Sequence, residues 1–409
     1  MNDDARLLGE IEYLLRQGAT YDVAPNLGSD VLDRIDGFCR RFIVYPNEHV
    51  GHAHTLWIAH CWLMDCWEHT PRLLFVSPEA GSGKTLALTV TGCLVPRPDH
   101  VGDLTPAALY HSIDECLEET GQRPTILYDE LDTVFGNAEE GRMRDTKMRR
   151  LIDIGHDKHA TIKRSVFRKG QGRSTVRYQV YTAMAMAGKM DIYEVPPTIR
   201  SRSVAVRMMR RLPEEKAERW SRRTGPVEAE PIRELLQMWA ELVHSHAAEY
   251  RLEIPEHLEN RDADVWEPLL TVADLAGGRW PEIARVASVA SVAGLGVNAT
   301  PSEGVQLLWA IRAIFDERMV NKIFTEDLLA DLRGRGEFRW ATRPLIDASL
   351  KLAKLLSAYG IAPKSQRIGQ RAVRGYRREY FEEAWRRYPL PQPATLATPT
   401  TPSEDDDDE

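Results

Sequence analysis

Leu73-Leu74-Phe75-Val76-Ser77-Pro78-Glu79-Ala80-Gly81-Ser82-Gly83-Lys84-Thr85, running on into Leu86-Ala87-Leu88-Thr89-Val90-Thr91-Gly92, decides the fold. A short apolar run reads as a buried strand, the glycine-containing segment as a loop, and the following residues as a helix. That order is what phosphate binding by backbone requires. Gly81 and Gly83 let successive N–H groups turn inward around anionic oxygens, and the helix presents its positive end. Lys84 would reach the β- and γ-phosphates and Thr85 would ligate Mg²⁺. ATP and Mg²⁺ are therefore the expected ligands, cradled by Pro78, Glu79, Ala80, Gly81, Ser82, Gly83, Lys84 and Thr85. Pro78 stands where the usual GxxxxGKT pattern has its first glycine. It lies at the strand exit, where a fixed φ is tolerated.

Forty-odd residues on, Thr125-Ile126-Leu127-Tyr128-Asp129-Glu130-Leu131-Asp132 reads as a second strand ending in acids. Alone such a run is a weak signal, but paired with the phosphate loop at this spacing it is strong. Asp129 is expected to hold the Mg²⁺ hydration shell and Glu130 to polarise the attacking water. Asp132 reads better as a helix N-cap. Further along, Val195-Pro196-Pro197-Thr198-Ile199-Arg200-Ser201-Arg202-Ser203 leads into another short apolar run. This loop resembles the box that places an arginine finger in clamp loaders and their relatives, a finger that completes a neighbouring subunit's site; the resemblance implies Arg202 as first choice and Arg200 as second. Only Lys189 stands near the position of a γ-phosphate sensor, a role usually held by a polar residue. Arg285 reads equally as a lid arginine or a surface residue.

Charge is unevenly placed. The formal net charge is −8, but Glu404 to Glu409 are all acidic and leave about −2 on the rest. Lys158 to Met190 carries eight Lys/Arg and no acid, and Lys364 to Arg387 carries eight against three Glu. Two cationic islands on a near-neutral body predict contact with a polyanion. In the first, Gly170 and Gly172 allow a β-hairpin, with Lys163, Arg164, Arg168, Lys169, Arg173 and Arg177 as the expected DNA contacts; Arg374 joins them from the second.

The rest bounds the reading. At 409 residues, 43% hydrophobic and 28% charged, the chain suits a soluble protein of two or three domains. No apolar run is long enough to span a bilayer and the N-terminus lacks a signal-peptide pattern, so no membrane association and a cytoplasmic location are expected. Cys39, Cys61, Cys66, Cys93 and Cys116 form no CxxC pair and are expected as reduced thiols. His52, His54 and His60 cluster around tryptophans without acidic ligands at metal spacing, so packing is the expectation. The expected class is α/β: an N-terminal helical region (1–70), a P-loop core (71–212), a helical lid (213–298), a small winged-helix-like α/β domain (299–390) and a disordered acidic tail (391–409).

Together these residues resemble an uncharacterised AAA+-type ATPase family of phages, prophages and bacteria, often fused to or beside primase–polymerase domains. The resemblance rests on FIVYPNEHV, TLWIAHCWLMDCWEHTPRLLFVSPEAGSGKT, PTILYDELDTVFG, PPTIRSRSVAVRM, RDADVWEPLLTVADLAGG and RGYRREYFEEAWRRY, in that order over roughly residues 40 to 388. The phosphate-loop proline fits this group. Some 40 residues ahead of the match are too few for a primase domain, so none is expected within the chain. The resemblance implies ATP hydrolysis coupled to work on DNA in phage or mobile-element replication or recombination. A ring-forming translocase or helicase, a hexamer acting on single-stranded or forked DNA, is the first expectation. An ATP-dependent loader or remodeller of a replication or recombination partner protein is the second. A nucleotide-gated signalling or defence scaffold is the third.

Overall fold

The computed structural model describes residues 3–16, 26–135, 146–168, 172–297, 303–368, 371–388 and 390. The chain divides into two compact units at 296/297. Lys169 and the acidic tail lie outside the described residues, as does Gly170.

The first unit is built on five parallel strands: β1 (Arg72–Val76), β2 (Pro98–Val101), β3 (Thr125–Tyr128), β6 (Met184–Gly188) and β7 (Ser203–Arg207), in the spatial order β2-β3-β6-β1-β7. Period-two alternation decides what each face buries. Leu73 and Phe75 of β1 join Ala185, Ala187, Val204 and Val206 in one core; Leu74 and Val76 join Ile126, Tyr128, Met184 and Met186 in the other. Near-continuous apolar strands covered on both faces are what a parallel sheet requires. The sequence therefore yields a mixed α/β fold with a central parallel sheet, compatible with a P-loop core.

Helices α1 (Asp3–Arg16), α2 (Leu27–Phe42) and α3 (Glu48–Trp62) cover the first face. With them, in the same core, pack α4 (Lys84–Gly92) and, after β7, α9 (Gly225–Glu249), α10 (Arg261–Ala276) and α11 (Trp280–Val297). The opposite face is covered by α5 (Pro106–Thr120) and by two short helices, α6 (Asp132–Phe135) and α7 (Thr146–Ile154). A four-residue helix, α8 (Pro197–Arg200), precedes β7, and β4 (Thr161–Arg168) with β5 (Gly172–Gln179) forms a separate antiparallel ribbon. None of the described helices is long and apolar enough to cross a membrane.

Two buried histidines, His54 and His60, are packing groups with assigned partners, while His52 packs edge-on against Trp280 with its Nδ1 unpartnered among the described residues. Thr91 Oγ1 donates to the Ala87 carbonyl, so it accepts from His54 Nε2 at 2.9 Å, and Tyr45 donates to His54 Nδ1 at 2.6 Å. His60 Nδ1 donates to the Trp57 carbonyl, while Thr70 Oγ1 donates to its Nε2.

The second unit comprises α12 (Glu303–Arg318), β8 (Lys322–Phe324), α13 (Thr325–Arg335), α14 (Leu345–Ser357), β9 (Lys364–Ile368), β10 (Arg371–Arg377) and α15 (Glu382–Arg387). Its strands form an antiparallel sheet in the order β8-β10-β9. Phe315, Tyr376, Phe381 and Trp385 anchor its core. Gly360, at φ +73°, ends the α14 region as a left-handed residue must.

Candidate active site

β1 runs directly into the glycine loop, and α4 begins at Lys84. Gly81 and Gly83 sit at φ +73° and +85°, conformations that cost an L side chain about 1 kcal/mol. Gly83 is the residue before the helix, and no side chain caps α4. The first-turn amides are thus left for an external acceptor, which is the condition for binding a phosphate. The Lys84 ammonium folds over the loop, donating to the Glu79 carbonyl at 2.9 Å and to Ser82 Oγ at 3.0 Å. Burial and Lys189 hold its pKa below the usual lysine value, against the opposing pull of Asp132, Asp129 and Glu79.

Topology brings the second motif to the same edge. β3 is separated from β1 only by β6, and all three are parallel. The end of β3 therefore lies two strand spacings from the phosphate loop, about 10 Å. The Asp129 amide donates to the Val101 carbonyl, and that of Leu131 to Ala187, so the Asp129-Glu130 corner is hung between β2 and β6. It crosses the tip of β6 so closely that a Cβ at Gly188 would lie 2.8 Å from Leu131 Cβ. Glu130, exposed, is forced to φ +65°, a left-handed conformation rare outside glycine. Strain of this kind concentrates at functional positions. Asp132 opens α6, and its carboxylate accepts from the Lys189 amide at 3.2 Å, tying β6 to that corner. The residues present fit a magnesium nucleotide: uncapped amides and Lys84 for phosphates, Thr85 and Asp129 for the ion, and Glu130 for a water.

One contributor escaped the sequence reading. Arg210, three residues beyond β7, donates from Nε to the Ala80 carbonyl at 3.0 Å, and Met208 lies against Gly83. The only signal was the cationic pair Arg210-Arg211 after a strand, which names no partner. Arg285, read as a lid arginine or a surface residue, makes a two-point pair with Asp274 at 2.7 and 3.1 Å.

Arg202 lies at the other end of the sheet. Its carbonyl accepts from the Arg72 amide at the start of β1, so it sits about 20 Å along the strand direction from the phosphate loop. Its guanidinium is held by Asp153, His156 and the Thr198 carbonyl. Arg200 instead lies over the Tyr193 ring, 5.2 Å from its centroid, as does Arg207 at 4.8 Å.

In the ribbon, Lys163 pairs across from Arg177 and Phe167 from Arg173, which places Lys163, Arg173 and Arg177 on one face, all exposed. Like charges directly opposite cost stability, so this face favours an anionic partner. Arg164 does not join them: it points to the other face, half-buried, 5.6 Å over Tyr110. The Arg168 backbone is in β4, opposite Gly172. In the second unit Arg374 is exposed on β10, opposite Ser365. Arg377 and Arg378, by contrast, are engaged by Glu379 and Asp316.

Residues 207–388 match a family described as a protein of unknown function (DUF3631). That span begins after the phosphate loop and covers less than half of the chain. The chain is also similar, at 37% identity over 153 residues, to an uncharacterized 28.9 kDa protein in the xis 5'region of Saccharopolyspora erythraea. The similarity covers 36% of this chain and 57% of that protein's length.

Proposed function

We propose that this chain is an AAA+-type ATPase that hydrolyses ATP with Mg²⁺ and couples the cycle to movement on DNA, as a ring in which neighbours complete one another's sites. The observation that carries the reading is the convergence at the C-terminal ends of parallel strands of an uncapped helix start, Lys84 and a strained Asp129-Glu130 corner. Bound ATP would supply the transferable phosphoryl group and Mg²⁺ its charge neutralisation. The protein's part is to hold the phosphates with backbone amides and Lys84, and to take the water's proton at the Glu130 carboxylate.

Three features support the finer reading. Arg202, at the far end of the strands, is out of reach of its own phosphate loop and suited to a neighbour's. The exposed cationic face of Lys163, Arg173 and Arg177 suits a phosphate backbone. The four helices and three-stranded antiparallel sheet of the second unit, with Arg374 exposed, suit a winged-helix-like module that helps recruit DNA. The similarity to a protein encoded in a xis 5'region accords with a mobile-element setting.

One experiment tests chemistry and substrate together. ATP turnover is measured with and without single-stranded DNA for the wild type, Lys84→Ala, Glu130→Gln and the triple variant Lys163→Ala/Arg173→Ala/Arg177→Ala. Lys84→Ala is expected to lose turnover, and Glu130→Gln to keep ATP binding while turning over about 10²-fold more slowly. The triple variant is expected to keep basal hydrolysis and lose DNA stimulation. Wild-type turnover in Glu130→Gln sinks the base assignment. Full stimulation in the triple variant sinks the ribbon as DNA contact and favours a loader.

A further inference from the structure

Arg202 is held by more than a surface arginine needs. Its Nε donates to His156 Nε2 at 3.0 Å, and its Nη1 donates both to Asp153 Oδ1 at 3.0 Å and to the Thr198 carbonyl at 2.7 Å. Nη2 has no partner among the described residues, and the side chain is 21% exposed. One edge of the guanidinium is therefore fixed, while Nη2 on the other is not engaged by any described residue.

The geometry also fixes the state of the histidine. His156 Nδ1 lies 2.7 Å from the Asp153 carbonyl, which can only accept, so Nδ1 carries the hydrogen and Nε2 offers its lone pair to Arg202. His69 stacks on the ring at 5.6 Å with planes 18° apart, and in turn faces Asp264 of α10 at 3.7 Å. Burial and the nearby cations Arg72 and Arg202 push the His156 pKa down to about 4, so the ring stays a neutral acceptor. Arg72, itself buried, is anchored on the Ile152 and Thr182 carbonyls.

These partners occupy a junction. Asp153 is on α7 and His156 on the turn after it, five residues before the cationic ribbon begins at Thr161. α7 packs on α6, which begins two residues after Glu130. α7 thus adjoins the Glu130 corner, the base of the ribbon and Arg202.

From this arrangement we infer that Asp153 and His156 are positioning residues, which set the guanidinium of Arg202 in the pose that enters the neighbouring copy's phosphate site. The inference rests on the proposed action of Arg202 in trans. A purely structural ion pair would be satisfied by Asp153 alone. The second, directional acceptor fixes the rotation of the guanidinium plane, and a misplacement of about 1 Å at a catalytic group costs on the order of 10²-fold in rate.

The test uses the full chain, ATP with Mg²⁺, and mixed assemblies whose formation is checked by co-purification of two tags. His156→Leu and Asp153→Leu are expected to lower kcat about 10²-fold with KM for ATP unchanged. His156→Gln, which keeps an acceptor for Nε, is expected to retain most of the rate. Mixing His156→Leu with Lys84→Ala copies is expected to recover activity, because an intact phosphate loop then meets an intact Arg202. Recovery for Arg202→Ala mixed with Lys84→Ala, but none for His156→Leu with Lys84→Ala, would show that His156 acts only through folding. Wild-type kcat in His156→Leu, where Arg202→Ala is inactive, also overturns the inference. No recovery in the Arg202→Ala mixture overturns the trans reading itself, and this inference with it.

Discussion

Glu130, the proposed general base, sits on a backbone that glutamate dislikes. Its φ of +65° follows from the tight crossing over Gly188, and asparagine tolerates that region far better. Glu130→Asn is expected to stabilise the protein by about 1 kcal/mol, a rise of roughly 2 °C in Tm for a unit of this size, while abolishing turnover. Scanning calorimetry beside an ATPase assay checks both; a lower Tm would mean that the corner is not strained. Lys84, Thr85, Asp129 and Glu130 were legible in the sequence because each sits at a fixed offset from a strand or helix end. Arg210 was not, since its contact is to a backbone carbonyl 130 residues away. Nor was the packing of Arg164 over Tyr110, which depends on which face of the ribbon meets that ring.

The histidines of α3 illustrate how an element stores a pH dependence. His54 and His60 are buried, and burial pushes their pKa values down to about 3 and 4; His156, beyond α7, is pushed to about 4. In the unfolded chain these rings take protons near pH 6.5, so between about pH 6.5 and 4 the unfolded state binds more of them. Their effect on stability is nil above that window, and stability falls as pH drops through it. Denaturation midpoints at pH 7.5, 6 and 5 are expected to decline, and His54→Gln to decline less, by about 1 kcal/mol per pH unit at most. Equal slopes in the two proteins would show that His54 is protonated in the native state. The sequence reading reached only a helical region over 1–70, in which α3 falls. Which ring nitrogen bears the hydrogen needed Thr91 and Thr70, brought in by the fold. The ribbon shows the same limit: its existence followed from two glycines, whereas the shared face of Lys163, Arg173 and Arg177 is a matter of register.

At the scale of the molecule, the strand, loop and helix order at the phosphate motif was enough to foresee an α/β core. It was not enough to foresee that α9–α11 bury themselves in the same core as α1–α3, because apolar helix faces do not say which other face they meet. The proposed action of Arg202 in a neighbouring copy, from the opposite end of the strands to the phosphate loop, carries a kinetic consequence. An enzyme whose site is shared between copies is only half a catalyst when alone, so its rate law is steeper than first order in protein. Turnover per subunit is expected to climb with protein concentration until assembly saturates and to vanish on dilution, even at saturating ATP. Initial rates over a thousandfold dilution series decide it, and a flat line would mean that each copy hydrolyses ATP unaided. Such a steep law makes local abundance the switch: activity would appear only where copies accumulate, with no separate activator required.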